Sequence, residues 1–176
     1  MTLMLETHPF GIFVPTKVKY LLLGSFTALK RDNDLKYDWF YGSSRNQFWP
    51  ILEKVYDLKL ENKQAKRNLF TKLQLALGDI IYQCERKKES SLDVHLTNCI
   101  YNKPAIKKVL QENKIQKVFF SSHFVETEFK KHFKEIIIEF PKTEYFTLPS
   151  PSPRYAAMKK EEKIKRYKSF LPELYN

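Results

Sequence analysis

Val18-Lys19-Tyr20-Leu21-Leu22-Leu23-Gly24-Ser25 is the stretch whose reading decides the fold. From Val18 to Leu23 the run is nearly continuously apolar, and it stops at a glycine. A strand with one solvated face would alternate. A run without alternation fits a strand buried on both faces, as in a parallel sheet covered by helices. The glycine-serine step then marks the strand's carboxyl end, where ligands of open α/β sheets bind.

Reading outward from this strand gives alternating elements. Upstream, Thr2 to Thr16 reads as a lead-in with turn signals at Pro9-Phe10-Gly11 and Pro15. Downstream, Gly24 to Gly42 lacks apolar periodicity and reads as a functional loop. Phe48, Ile51, Leu52, Val55 and Tyr56 then fall on one helical face, with Pro50 tolerable in a first turn. Ser43, Ser44 or Asn46 is placed to cap that helix. A second helix is expected over 64–77, with Leu69, Phe70, Leu73 and Leu77 inward and Gly78 ending it. Asp79 to Cys84 suits a strand, and Glu85 to Asn102 is polar enough to read as mostly loop.

Pro104 suits a helix start ahead of Ile106, Val109 and Leu110. Gln116 to Ser121 reads as a strand, and Val125, Phe129 and Phe133 as another helical face. Ile136 to Phe140 looks strand-like or extended. Tyr145 to Leu148 is the last core strand, and Ile164, Tyr167, Phe170, Leu171 and Leu174 mark a final amphipathic helix with a Lys-rich outer face. There is no internal repeat. Strands alternating with helices imply an α/β fold with a parallel sheet covered on both sides.

Composition narrows the partners. The 176 residues suit one domain, 1–176, and a 43% hydrophobic content supplies an ordinary core. The formal charge is +11, which attracts polyanions, nucleic acid being the commonest, or else serves solubility. Cys84 and Cys99 fit neither a zinc pattern nor a disulfide framework, and read as buried free thiols in a reducing compartment. No signal peptide and no membrane-spanning stretch is visible, so a cytoplasmic or nuclear location and no membrane partner are expected. His8, His95, His123 and His132 lack metal-ligand spacing, and no metal or other cofactor is expected.

Three predicted strand ends converge on one candidate pocket: Gly24-Ser25-Phe26-Thr27, Ser121-Ser122-His123 and Pro149-Ser150-Pro151-Ser152-Pro153. Gly24 permits a close backbone approach to a ligand, or simply a tight turn. The run Trp39 to Trp49 packs aromatics, Arg45, Asn46 and Gln47 around a helix start. Aromatic faces can stack on a base and an amide can bond its edge, while Asn46 has the alternative of a cap. The Pro-Ser run is stiff and poor in backbone donors. It either presents hydroxyls to a phosphate and holds Arg154 and Tyr155 toward it, or is only a rigid turn. Asp79, Glu85 and Asp93 cluster near the second predicted strand, where Arg86 or Lys87 could order their loops.

In their order these blocks resemble the uracil-DNA glycosylase superfamily, most closely its hypoxanthine-DNA (deoxyinosine) glycosylase branch. The blocks are His8-Pro9-Phe10, Leu21 to Phe26, Phe40-Tyr41-Gly42, Arg45-Asn46-Gln47-Phe48-Trp49, Cys84-Glu85-Arg86, Ser91-Leu92-Asp93, Val118-Phe119-Phe120 and Leu148 to Pro153. The resemblance implies a three-layer α/β/α sandwich around a four-stranded parallel sheet. It also implies a DNA glycosylase that cleaves hypoxanthine, uracil or xanthine from DNA. No lysine in the sequence is clearly placed for a Schiff base, so a monofunctional enzyme that leaves an abasic site is expected, acting as a monomer.

Asn46 would be catalytic, orienting a water or bonding the base. Gly24, Ser25, Phe26, Thr27, Tyr41, Gly42, Ser121, Ser122 and His123 would form the base pocket, with Phe26 or Tyr41 stacking on the base. Arg45 and the segment Pro149, Ser150, Pro151, Ser152, Pro153, Arg154 and Tyr155 would grip DNA containing the damaged base. The chain departs from the family pattern at Thr27, where relatives carry Pro. It departs again at Ser121-Ser122, where they often carry Asn, and at Ser150 and Ser152, where many carry His. A non-catalytic nucleic-acid-binding relative and a small-molecule nucleotide-binding domain are the alternatives.

Overall fold

A computed structural model describes residues 3–27, 37–87 and 90–175. The opening run forms β2 (Tyr20–Gly24), and all but its first residue are buried. It lies between β3 (Leu75–Asp79) and β6 (Lys117–Phe120), and β7 (Glu144–Thr147) pairs with β6. The order is β3-β2-β6-β7, and every pairing is parallel. Leu22 sits in register with Leu77 on one side and Phe119 on the other.

Successive side chains of these strands enter two different cores, as the pleat requires. Leu22, Leu75, Leu77 and Phe119 pack against α1 (Phe48–Tyr56), α2 (Lys63–Lys72) and α6 (Lys160–Phe170). Leu21, Leu23, Ala76, Val118 and Phe120 pack against α3 (Lys103–Glu112), α4 (His123–His132) and α5 (Lys134–Glu139). The expected α/β/α layering is therefore present.

Several elements differ from the sequence expectation. The helix expected over 64–77 stops at Lys72. Gln74 takes a left-handed φ of 55°, the chain reverses, and Leu75 to Asp79 form an edge strand of the main sheet. Leu73 and Leu77 mimic a helical period only because one precedes the turn and the other lies in a fully buried strand. Gly78 is no helix cap: it sits in β3, where a Cβ would press to 2.9 Å from the Ile12 side chain.

The strand expected over 79–84 divides accordingly. Asp79 closes β3, and Ile81–Arg86 form β4 in a second, antiparallel sheet of order β1-β4-β5. β1 (Met4–Thr7) comes from the presumed lead-in, and β5 (Leu96–Tyr101) from the presumed loop. Ile136 to Phe140 is not extended: Lys134–Glu139 are helical, with Ile136 buried and Ile138 exposed. Packing has overridden the strand preference of that β-branched run. Cys84 is buried but Cys99 only partly so, and both are free thiols. Among the described residues no helix is long and apolar enough to cross a membrane.

Candidate active site

The carboxyl ends of the parallel strands open into a cleft of about 450 Å³. Gly24 lies behind the cleft lining, tightly held between the Asp79 carboxylate and the Tyr41 hydroxyl. Any Cβ there would collide with both. Beyond it Ser25, Phe26 and Thr27 line the cleft. Residues 28–36 of the expected functional loop lie outside the described residues. The chain is next described at Tyr37, whose hydroxyl bonds that of Thr27.

Aromatic packing fixes the segment from Trp39 to Trp49. Trp39 stacks on Trp49 with centroids 5.9 Å apart, and the Trp49 indole N–H donates to the Phe40 carbonyl at 2.7 Å. Tyr41, at a left-handed φ of 55°, stacks on Phe48 at 4.0 Å. Phe48 thus covers one face of the Tyr41 ring, while Phe26 meets the His8 ring edge-on at 5.4 Å and has the Arg86 guanidinium 6.0 Å from its ring centroid. Burial, reinforced by the Asp79 charge, raises the Tyr41 hydroxyl's pKa well above the ordinary tyrosine value.

Asn46 stands two residues before α1 and lines the cleft. Its Oδ1 accepts the Phe48 N–H at 2.9 Å in a turn that leads into the helix, but the N-cap position is Gln47, which makes no side-chain cap bond, so none of Ser43, Ser44 and Asn46 is the cap. An amide held by its oxygen keeps its Nδ2 hydrogens for a ligand. The arrangement suits Asn46 as a donor to the base better than as an acceptor orienting water.

Beside β3 lies an acidic group to which the sequence reading gave no role in the chemistry. His8 Nδ1 accepts the Phe10 N–H at 3.0 Å, so its proton is on Nε2, which donates to Asp79 Oδ2 at 2.6 Å. Both side chains are almost wholly buried. Asp93 Oδ1 accepts from Ser25 Oγ at 2.7 Å. Burial first, and the Asp79 charge second, lift its pKa to about 6, against the opposing effects of Ser25 and Arg86.

Arg86 does not pair with these acids. It forms a two-bond contact with Glu6, at 2.8 and 3.0 Å, and donates to the carbonyls of Ser90 and Thr27. That network ties β1 and β4 to the cleft rim.

The far rim follows β7. Ser150 Oγ accepts the Ser152 N–H and Ser152 Oγ accepts the Arg154 N–H, at 3.2 and 3.3 Å. Each hydroxyl oxygen is thereby fixed while its own proton stays available. The Pro151 carbonyl accepts the Gln47 N–H at 2.9 Å, and the Pro149 carbonyl accepts the Tyr167 hydroxyl at 3.0 Å. Arg45 and Arg154 are exposed at the cleft edge.

A solution NMR structure from Methanosarcina acetivorans, described as a "putative Uracil DNA glycosylase", superposes with a TM-score of 0.66. It is 17% identical, and the match covers 94% of this chain and 98% of that one. The fold is uracil-DNA glycosylase-like. No protein-family model and no curated protein matches the chain.

Within this uracil-DNA glycosylase-like fold, most of the expected site residues meet in one place. Ser25, Phe26, Thr27, Tyr41, Arg45, Asn46, Ser121, Ser122, Ser150, Pro151, Ser152, Pro153 and Arg154 all line the cleft. Gly24, Gly42 and Pro149 support it from behind. At Gly42 a Cβ would lie 2.9 Å from the Trp39 carbonyl oxygen. Two residues fall elsewhere. His123 is an exposed first residue of α4, paired with Glu126, because Ser122 caps the helix and turns the chain away. Tyr155 lies against Lys163 outside the cleft lining.

Phe10, Asp79, Asp93 and the Ser90-Ser91-Leu92 segment also line the cleft. The signal for Phe10 and for Ser91 to Asp93 was the His8-Pro9-Phe10 and Ser91-Leu92-Asp93 blocks, which carried no assigned role, and Asp79 stood out only as an acid near the second expected strand. Among the described residues no group of three His, Cys, Asp or Glu is placed to hold a metal ion.

Proposed function

We propose that the chain is a monofunctional DNA glycosylase, acting as one monomeric unit over 1–176, that hydrolyses the N-glycosidic bond of a deaminated base in DNA. One observation carries this reading. In a uracil-DNA glycosylase-like fold, a single strand-end cleft joins the Asn46 amide to the Asp79 and Asp93 carboxyls. The ordered motif blocks favour hypoxanthine among the candidate bases, with uracil and xanthine next.

The chemistry follows from charge. As the C1′–N bond breaks, its electron pair leaves with the base and the sugar becomes an oxocarbenium ion. Asn46 Nδ2 donates to the base as it turns anionic. The carboxylates of Asp79 and Asp93 stabilise the cationic sugar through preorganised electrostatics. Water adds to C1′ and its proton passes to Asp93, whose pKa of about 6 leaves it ionised near neutrality. The products are the free base, protonated from solvent, and an abasic site.

Extrusion of the damaged nucleotide costs least where pairing is already weak. Phe26 stacks on the flipped base, and Arg154 enters the vacated stack.

The test is an excision assay on labelled oligonucleotides carrying one uracil, hypoxanthine or xanthine, followed by alkaline cleavage. Asn46→Ala and Asn46→Asp should each lose at least ~100-fold in rate with DNA binding retained. Asn46→Asp keeps an acceptor for the Phe48 N–H, which separates the turn from the chemistry. Wild-type rates in both variants would remove Asn46 from the mechanism. Intact strands on every substrate, with salt-dependent binding, would favour a non-catalytic relative.

A further inference from the structure

Lys163 is the anomaly of the fold. It lies on the inward side of α6 with 1% of its surface exposed. Its ammonium donates to Gln47 Oε1 at 3.0 Å and to the Ser152 carbonyl at 3.1 Å, and lies 5.3 Å from the Tyr155 ring centroid. All of these partners are neutral. The other buried cations have acids, Asp38 at 3.7 Å from Lys66 and Glu6 at 2.8 Å from Arg86. Among the described residues Lys163 has no such carboxylate.

Burying a charge without a counter-ion opposes folding, and burial pulls the Lys163 pKa below the ordinary lysine value. An apolar side chain would suit the position better if stability were all that mattered. The charge is also well placed. It sits directly behind the turn whose Ser150 and Ser152 hydroxyls keep their protons for a ligand. Gln47, its second partner, is tied to the same turn through Pro151.

We infer that Lys163 is a positioning residue for a phosphodiester: its ammonium fixes the turn at 150–154 and supplies the positive charge against which a DNA backbone phosphate sits. The inference rests on the DNA-binding half of the proposed function and not on its catalytic half. Ser150 and Ser152 donate to the phosphate oxygens. The counter-ion missing from the free protein is then the substrate itself.

The experiment uses the full chain and a duplex carrying a non-cleavable abasic-site analogue, with affinity measured by anisotropy across a salt series. Lys163→Met should weaken binding about tenfold and flatten the slope of log affinity against log salt by about one. Its Tm should hold or rise, because an unpaired buried charge is replaced by an apolar side chain. Lys165→Met, exposed on the same helix, is the comparison and should do neither. Unchanged affinity and slope in a folded Lys163→Met protein would overturn the inference, and so would a lower Tm with no change in binding.

Methylphosphonate substitution, walked one phosphate at a time, tests the wild-type protein without any mutation. One position should reproduce the tenfold loss. A scan in which no single neutralised phosphate weakens binding beyond twofold overturns the inference whatever the variants do. Binding that follows these expectations without base excision would sink the enzyme and leave the phosphate site standing. Excision with an unchanged salt slope would do the reverse.

Discussion

The two rims of the cleft are built from opposite edges of one parallel sheet, and they carry opposite charge. At the β3 edge stand Asp79, braced by His8, and Asp93, braced by Ser25. At the β7 edge stand the Pro-Ser turn, Arg154 and, behind them, the Lys163 ammonium. Breaking a glycosidic bond also separates charge: a cationic sugar, held in the anionic backbone, from an anionic base that leaves. The contrast teaches how a site can hold this polarity before substrate arrives. The acidic rim keeps its buried charge by hydrogen bonding. The basic rim keeps its charge with neutral acceptors only, and leaves the counter-ion to the ligand.

The largest effect should come from cancelling the acidic rim at its most buried point. Asp79→Asn keeps the shape and an acceptor for His8 but removes the charge from the cleft lining. Single-turnover excision should fall by ~100-fold to 1,000-fold, the scale of losing one preorganised electrostatic contact. A rate within threefold of wild type would mean that the carboxylate serves only to hold His8, and the two-rim comparison would lose its acidic half.

Asp93→Asn should sharpen the comparison through pH. The Asp93 carboxyl rises from an ordinary 3.8 to about 6 in the folded chain. If its ionised form takes the water's proton, excision should fall as pH drops through about 6, and the variant should be ~10-fold to 100-fold slower without that limb. Stability should move the other way. A carboxyl whose folded pKa is raised binds protons more readily folded than unfolded, so its penalty is full above about 6. The penalty fades as pH falls toward 4 and is gone below the unfolded value. Asp93→Asn should therefore raise Tm at pH 7, and the gain should vanish near pH 4. A variant that is no more stable at pH 7 would show that Asp93 is not held as a buried charge.

How much of this was legible depended on whether a segment's neighbours in sequence were also its neighbours in space. The run Val18 to Leu23 reads correctly because burial on both faces removes all alternation, and no helix of that length would end so abruptly at a glycine. Asn46 and the Pro-Ser turn could be placed because each abuts an element whose end is clear. The acidic rim was harder. His8 and Asp79 are 71 residues apart, and Ser25 and Asp93 are 68 apart. Their pairing depends on the antiparallel sheet of β1, β4 and β5, whose strands are short and polar on one side and read as lead-in and loop. Lys163 was hidden for a different reason. In a helix rich in lysine, nothing local separates the inward one from those on the solvated face.

The smallest effect should come from the residue that the sequence placed between the rims and the fold removed. His123 follows Ser122 at the end of β6, yet its side chain is 80% exposed. Its partner Glu126 does not depend on it. Lys130, at 2.6 Å, is the main reason that the Glu126 carboxyl falls to about 2, with Thr147 and His123 adding to the effect. His123→Ala should thus leave excision within twofold and Tm within about a degree, since exposed pairs of this kind contribute little. The outcome bears on the family pattern as well as on this residue. The pattern that the sequence resembles has a histidine in the last motif, where this chain has Ser150 and Ser152. If His123→Ala slowed excision tenfold, a mobile imidazole at the end of β6 would stand in for that histidine. The basic rim would then extend along the sheet. If it does nothing, Lys163, Arg45 and Arg154 remain the cations placed at the cleft among the described residues.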